Sequence, residues 1–146
     1  MAKVIMVFTS MTGNTEEMAE AIAEGVREQG VELDVKEVLD ATATELEKYD
    51  GILLGAYTWG DGELPDDFLD FYDELDDVDL TGKKAAVFGS CDSSYEKYGA
   101  AVDILTEKLQ ERGAEVVLQG LKIELTPTNE EKQLCMAFGK EFSKQL

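Results

Sequence analysis

The chain has no histidine and only two cysteines, Cys91 and Cys135. Two distant thiols set up neither a disulfide framework nor metal-ligand spacing, and no imidazole is present to complete a metal set. No apolar run approaches the ~20 residues of a membrane span, and Met1-Ala2-Lys3 leads straight into a strand pattern without a signal peptide's apolar region. A cytoplasmic location is expected. Basic side chains are scarce: 13 Lys and Arg face 32 Asp and Glu, a formal net charge of -19. Nucleic-acid binding needs Lys and Arg to neutralise phosphates, and anionic membrane surfaces attract the same residues. Neither partner suits this chain. No repeat, linker or low-complexity segment interrupts the 146 residues, which are enough to bury a full core as one domain, 1–146.

Apolar periodicity supplies the framework. Strand patterns near 3–8, 32–38, 51–56, 84–89 and 115–123 alternate with helix patterns near 14–29, 66–75, 98–112 and 129–145. Such alternation predicts an α/β fold, a three-layer α/β/α sandwich around a five-stranded parallel sheet with right-handed crossovers. The first strand, Lys3 to Phe8, is continuous and β-branched, as suits burial on both faces. In the following helix Met18, Ala21, Ile22, Gly25 and Val26 fall on one stripe.

Between that strand and that helix lies Ser10-Met11-Thr12-Gly13-Asn14-Thr15. A helix start presents unpaired backbone N–H groups to an anion, and Ser10, Thr12, Thr15 and Asn14 add hydroxyls and an amide. Gly13 lets the backbone close tightly. The lysine of a P-loop and the GxGxxG of a dinucleotide site are both missing, so a single terminal phosphate monoester fits better than a pyrophosphate. The plainer reading, a turn with an N-cap, fits the loop taken alone.

Two further loops leave the same end of the sheet. Tyr57-Thr58-Trp59-Gly60-Asp61-Gly62 follows the third strand, and Ser90-Cys91-Asp92-Ser93-Ser94-Tyr95 follows the fourth. In open α/β sheets ligands bind at the carboxyl ends of the strands. Trp59 and Tyr95, one on each loop, suggest a flat ring stacked between them. Tyr98 competes with Tyr95 for that place, and Asp92 is equally able to cap the following helix.

With these three loops in order, the chain resembles the flavodoxins from its first strand to its last helix, and their short-chain class, since no insertion splits 116–124. The resemblance implies strand order 2-1-3-4-5 and bound FMN. Its phosphate would lie on Ser10, Met11, Thr12, Gly13, Asn14 and Thr15, and Thr58 near its ribityl end. Trp59 and Tyr95 would cover the ring, with Gly60, Asp61, Ser90, Cys91 and Asp92 along its polar edge. Many members have glycine where Cys91 stands, and a Cβ restricts close backbone approach there. The implied function is a low-potential one-electron carrier, not an enzyme: a cytoplasmic monomer moving electrons from an NADPH-dependent flavodoxin or ferredoxin reductase to haem or iron-sulfur enzymes.

The residues give that chemistry a physical basis. The one-electron semiquinone carries N5–H where oxidised flavin has a bare nitrogen, and the peptide at Gly60 can flip its carbonyl toward that proton. An anionic hydroquinone is then opposed by the acidic protein and the apolar ring site, which lowers the second potential. From Lys48 to Lys83 no basic side chain intervenes, while Asp61, Glu63, Asp66, Asp67, Asp70, Asp73, Glu74, Asp76, Asp77 and Asp79 crowd one stretch. That stretch reads as a solvated helix face over Phe68, Phe71, Tyr72 and Leu75, and equally as a field that steers a basic redox protein. Three rivals are weaker. A phosphoacceptor signalling domain lacks its aspartates at the ends of the first and third strands. A quinone-reducing flavoenzyme lacks an acid or base for a substrate. A flavin reductant dedicated to one metalloenzyme differs only in the breadth of its acceptors.

Overall fold

The computed structural model describes residues 2–10, 13–58, 64–91, 100–124 and 127–146. Strands β1 (Lys3–Phe8), β2 (Glu32–Glu37), β3 (Gly51–Gly55), β4 (Lys84–Cys91), β5 (Glu115–Val116) and β6 (Leu121–Glu124) form one parallel sheet. The order is β2-β1-β3-β4-β5, with β6 also paired to β4. Helices α1 (Asn14–Glu28), α2 (Asp66–Glu74), α3 (Ala100–Glu111) and α4 (Asn129–Lys144) cover its two faces.

The strand patterns explain the layers. On β1, Val4, Met6 and Phe8 join the core under α1 and α4, while Ile5 and Val7 join the core under α2 and α3. Central β3 is buried along its whole length, whereas edge strand β2 alternates, as expected when one strand has neighbours on both sides and the other on one. The predicted stripe of α1 is buried at Met18, Ala21, Ile22, Gly25 and Val26, together with Ala19 and Ala23. Among the described residues, no helix is long and apolar enough to cross a membrane.

Two expectations are corrected. The fifth strand is two segments: β5 pairs Lys84 with Glu115, an offset of 31, and β6 pairs Phe88 with Leu121, an offset of 33. Residues 117–120 therefore place two extra residues opposite Ala86 and Val87, a local bulge that breaks the ladder. Secondly, β4 runs on through Ser90 and Cys91, which pair with Ile123 and Glu124 instead of opening the third loop. The β2–β3 crossover, for which no element was predicted, contains short 3-10 turns, Val38–Asp40 and Ala43–Lys48. Val38, Ala43 and Leu46 bury one apolar group per turn there, too few for a full amphipathic helix.

Candidate functional site

Pairing between strands continues beyond their formal ends and gathers the predicted residues at the carboxyl edge of the sheet. Thr9 N donates to Gly55 O (3.1 Å), Ala56 N to Phe88 O (3.2 Å) and Thr58 N to Ser90 O (3.3 Å). The β1, β3 and β4 exits thus lie side by side, with the start of α1 directly after the first.

At that start, Gly13 has φ 91°, and a Cβ there would meet nothing within 4 Å. The glycine is needed for its left-handed backbone and not for space, since other residues reach that region only with strain. Its N–H donates to Ser10 Oγ at 3.0 Å, closing the turn. Gly13 brings no side chain to cap α1, in contrast to α4, where Thr128 and Glu131 form a reciprocal capping box. The first turn of α1 therefore faces the loop with backbone donors and a positive dipole end. Thr15, 1% exposed, meets the Ser90 hydroxyl at 2.7 Å. The Thr58 hydroxyl accepts from Ala101 N at 3.2 Å, at the opening of α3. Ser10, Gly13, Asn14, Thr15, Thr58, Ser90 and Cys91 are thus assembled along one edge; Met11, Thr12, Trp59, Gly60, Asp61, Asp92 and Tyr95 lie outside the described residues, as does the rival Tyr98.

Cys91 ends β4, 6% exposed, and its thiol donates to Ile123 O at 3.5 Å. Its Cβ is accommodated within the sheet ladder. Thr9 was not among the expected site residues, yet it is buried and its hydroxyl donates to Asp67 Oδ2 at 3.4 Å, tying the β1 exit to α2. A threonine directly after the apolar run Val4 to Phe8 was the available signal. Beside it, burial pushes the Tyr57 phenol above its ordinary range, aided by Asp67 and Asp66.

The donor set of hydroxyls and helix N–H groups, without lysine, suits a phosphate monoester. Among the described residues no group of acids and thiols is arranged to hold a metal ion. Acidic side chains run from the site along α2: Asp66, Asp67 and Asp70 leave the carboxyl edge, and Asp73, Glu74, Asp76, Asp77 and Asp79 continue toward the opposite end of the sheet, where β4 begins at Lys84; all are exposed. Some are committed to the fold: Glu74 accepts from Ala43 N (3.1 Å), and Asp76 pairs with Lys108 (2.6 Å), whose ammonium lies 4.6 Å from the centre of the Tyr72 ring. Among the described residues no Lys or Arg pairs with Asp66, Asp70 or Asp73, which surround the half-exposed Leu69.

The flavodoxin family model matches residues 6–139. The chain is 44% identical over 146 residues to probable flavodoxin 2 of Bacillus subtilis, covering 99% of this chain and 97% of that protein. Oxidised flavodoxin 1 of Bacillus cereus superposes with a TM-score of 0.97 at 65% identity, covering 99% of both chains. A short-chain flavodoxin associated with a bacterial microcompartment superposes with a TM-score of 0.94 at 32% identity, again over 99% of both.

Proposed function

This chain belongs to the flavodoxin family, low-potential electron carriers with bound FMN, and from that premise we propose how its own residues hold the cofactor and meet its partners. FMN supplies the redox chemistry; the protein binds it, orients it and sets its surroundings. Ser10, Met11, Thr12, Gly13, Asn14 and Thr15 would hold its phosphate at the start of α1. Thr58 would meet its ribityl end, Trp59 and Tyr95 would cover the ring, and Gly60, Asp61, Cys91 and Asp92 would border it, while the Ser90 hydroxyl turns to Thr15. The observation that carries this reading is the meeting of the α1 start with the β3 and β4 exits on one hydroxyl-rich edge. Trp59 is the sole tryptophan, so its fluorescence tests the ring position. Titrating apoprotein with FMN should quench that emission stoichiometrically, and unchanged emission on binding would refute the stack.

The partners are basic-surfaced redox proteins, an NADPH-dependent reductase upstream and haem or iron-sulfur enzymes downstream. A 1–146 single domain working as a cytoplasmic monomer fits the role. Support comes from the one-signed field of α2, whose start adjoins the site through Thr9 and Asp67 and which raises encounter rates with a positive surface. The Debye length is ~8 Å at physiological salt and ~3 Å at 1 M. Electron transfer from a basic reductase, followed by stopped flow, should therefore slow about ten-fold or more between low and high salt. A rate indifferent to salt would remove the steering.

A further inference from the structure

We propose that Ser90 acts on the phosphate side of the cofactor site, as a positioning residue that fixes the direction of the Thr15 hydroxyl. The inference rests on the phosphate lying at the start of α1.

The two oxygens are 2.7 Å apart and both residues are buried, Thr15 at 1% and Ser90 at 5% exposure. A hydroxyl has one proton to donate and lone pairs to accept with. Which of the two donates is decided by what else each meets. A phosphate monoester near neutral pH is chiefly an acceptor, so a threonine beside it contributes only by donating. Thr15 can do so only if its proton is not already spent on Ser90. With Ser90 donating into Thr15 Oγ1, the Thr15 proton is directed outward, and the chain Ser90 O–H to Thr15 O–H to phosphate runs in one sense. Hydrogen bonds in such a chain polarise and strengthen one another.

Ser90 is itself held firmly. It stands inside the β4–β6 ladder opposite Ile123, and its carbonyl accepts from Thr58 N at 3.3 Å. A serine on an exposed loop would rotate freely, whereas this one presents its hydroxyl from a fixed backbone to the first turn of α1. Its place in the third loop's sequence pointed to the ring; the strand extension and the 2.7 Å contact point to the phosphate.

The test compares FMN with riboflavin, which lacks the phosphate, in binding to apoprotein. Ser90→Ala removes the donor and leaves Thr15 able to turn its proton elsewhere. The dissociation constant for FMN should rise about five-fold in Ser90→Ala, the scale of one modest hydrogen bond, with riboflavin affinity unchanged. Ser90→Thr, which keeps the hydroxyl, should restore FMN affinity. Thr15→Val and Thr15→Val/Ser90→Ala should bind FMN equally, because Ser90 acts through Thr15. Equal FMN affinity in wild type and Ser90→Ala, or additive losses in the double variant, would overturn the role of Ser90. Wild-type protein that binds FMN no better than riboflavin would instead overturn the phosphate position itself. Riboflavin binding reports whether Ser90→Ala is folded; should it fail, Ser90→Cys, a near-isosteric weak donor, should show an intermediate FMN loss, and wild-type affinity there would refute the proposal.

Discussion

Gly139→Ala sets two physical effects against each other, and the structure decides the sign. Alanine is favoured over glycine inside a helix by about 1 kcal/mol, so α4 taken alone would gain from the change. But a Cβ at Gly139 would stand 2.2 Å from the Ile22 carbonyl oxygen and 3.1 Å from Val26 N, both backbone atoms of α1. Gly25 mirrors it, with a Cβ that would lie 2.1 Å from Met136 O. The two helices cross on their glycines, and no side chain can rotate aside to make room. α4 would have to withdraw from α1 by about 1 Å, loosening Met18, Ile22 and Val26 against Cys135 and Phe142. Overpacking of a close-packed core costs about 1–3 kcal/mol, and a clash with backbone belongs at the upper end. The net expectation is a loss of about 1–2 kcal/mol, which lowers Tm by roughly 3–8 °C in a domain of this size. Circular dichroism melts of apoprotein at fixed concentration measure this. A Tm equal to or above wild type would refute the backbone contact and leave helix propensity in control.

Acid stability and thiol reactivity follow from the same packing. Three carboxyls are held below their usual range: Asp76 by its hydrogen bond from Lys108, Glu45 by that from Lys36, and Asp79 by the Thr81 hydroxyl and N–H. A depressed folded pKa contributes stability that is present above the unfolded value, about 4, and lost as pH falls through the folded one. Asp76→Asn should therefore be less stable than wild type at pH 7, with the gap closing in acid; denaturant unfolding across pH 3–7 checks it, and a constant gap would contradict it. Cys135 is wholly buried and its thiol is pushed up to about 12 by burial. Mass mapping after treatment with a thiol reagent at pH 8 should show it modified no faster than the protein unfolds, and rapid labelling of native protein would refute that burial.

Sequence reading recovered what depends on periodicity and missed what depends on partners. The buried stripe of α1 was visible because Met18, Ile22 and Val26 recur at helical spacing, and Gly25 sat in that stripe. Why Gly25 must be glycine was not visible, because the reason is the carbonyl of Met136. Ser90 and Cys91 read as loop because serine, cysteine and the polar residues after them look like punctuation. Only pairing with Ile123 and Glu124 holds them in β4. The break in the fifth strand was equally hidden: Val116, Val117 and Leu118 continue an apolar run, while the ladder opens over 117–120 before resuming at Leu121. At the site, the glycine of the phosphate loop and the hydroxyls around it were legible as types in a pattern. The contact between Thr15 and Ser90, 75 residues apart, could come only from the fold.

The most direct test of the account is a stepwise anaerobic reduction of the FMN-loaded protein, followed by its visible spectrum. The account predicts two separated one-electron steps, with a distinct one-electron-reduced species accumulating between them and the second step at low potential. Passage straight to two-electron-reduced flavin, with no species between, would contradict a one-electron carrier and point to hydride chemistry instead.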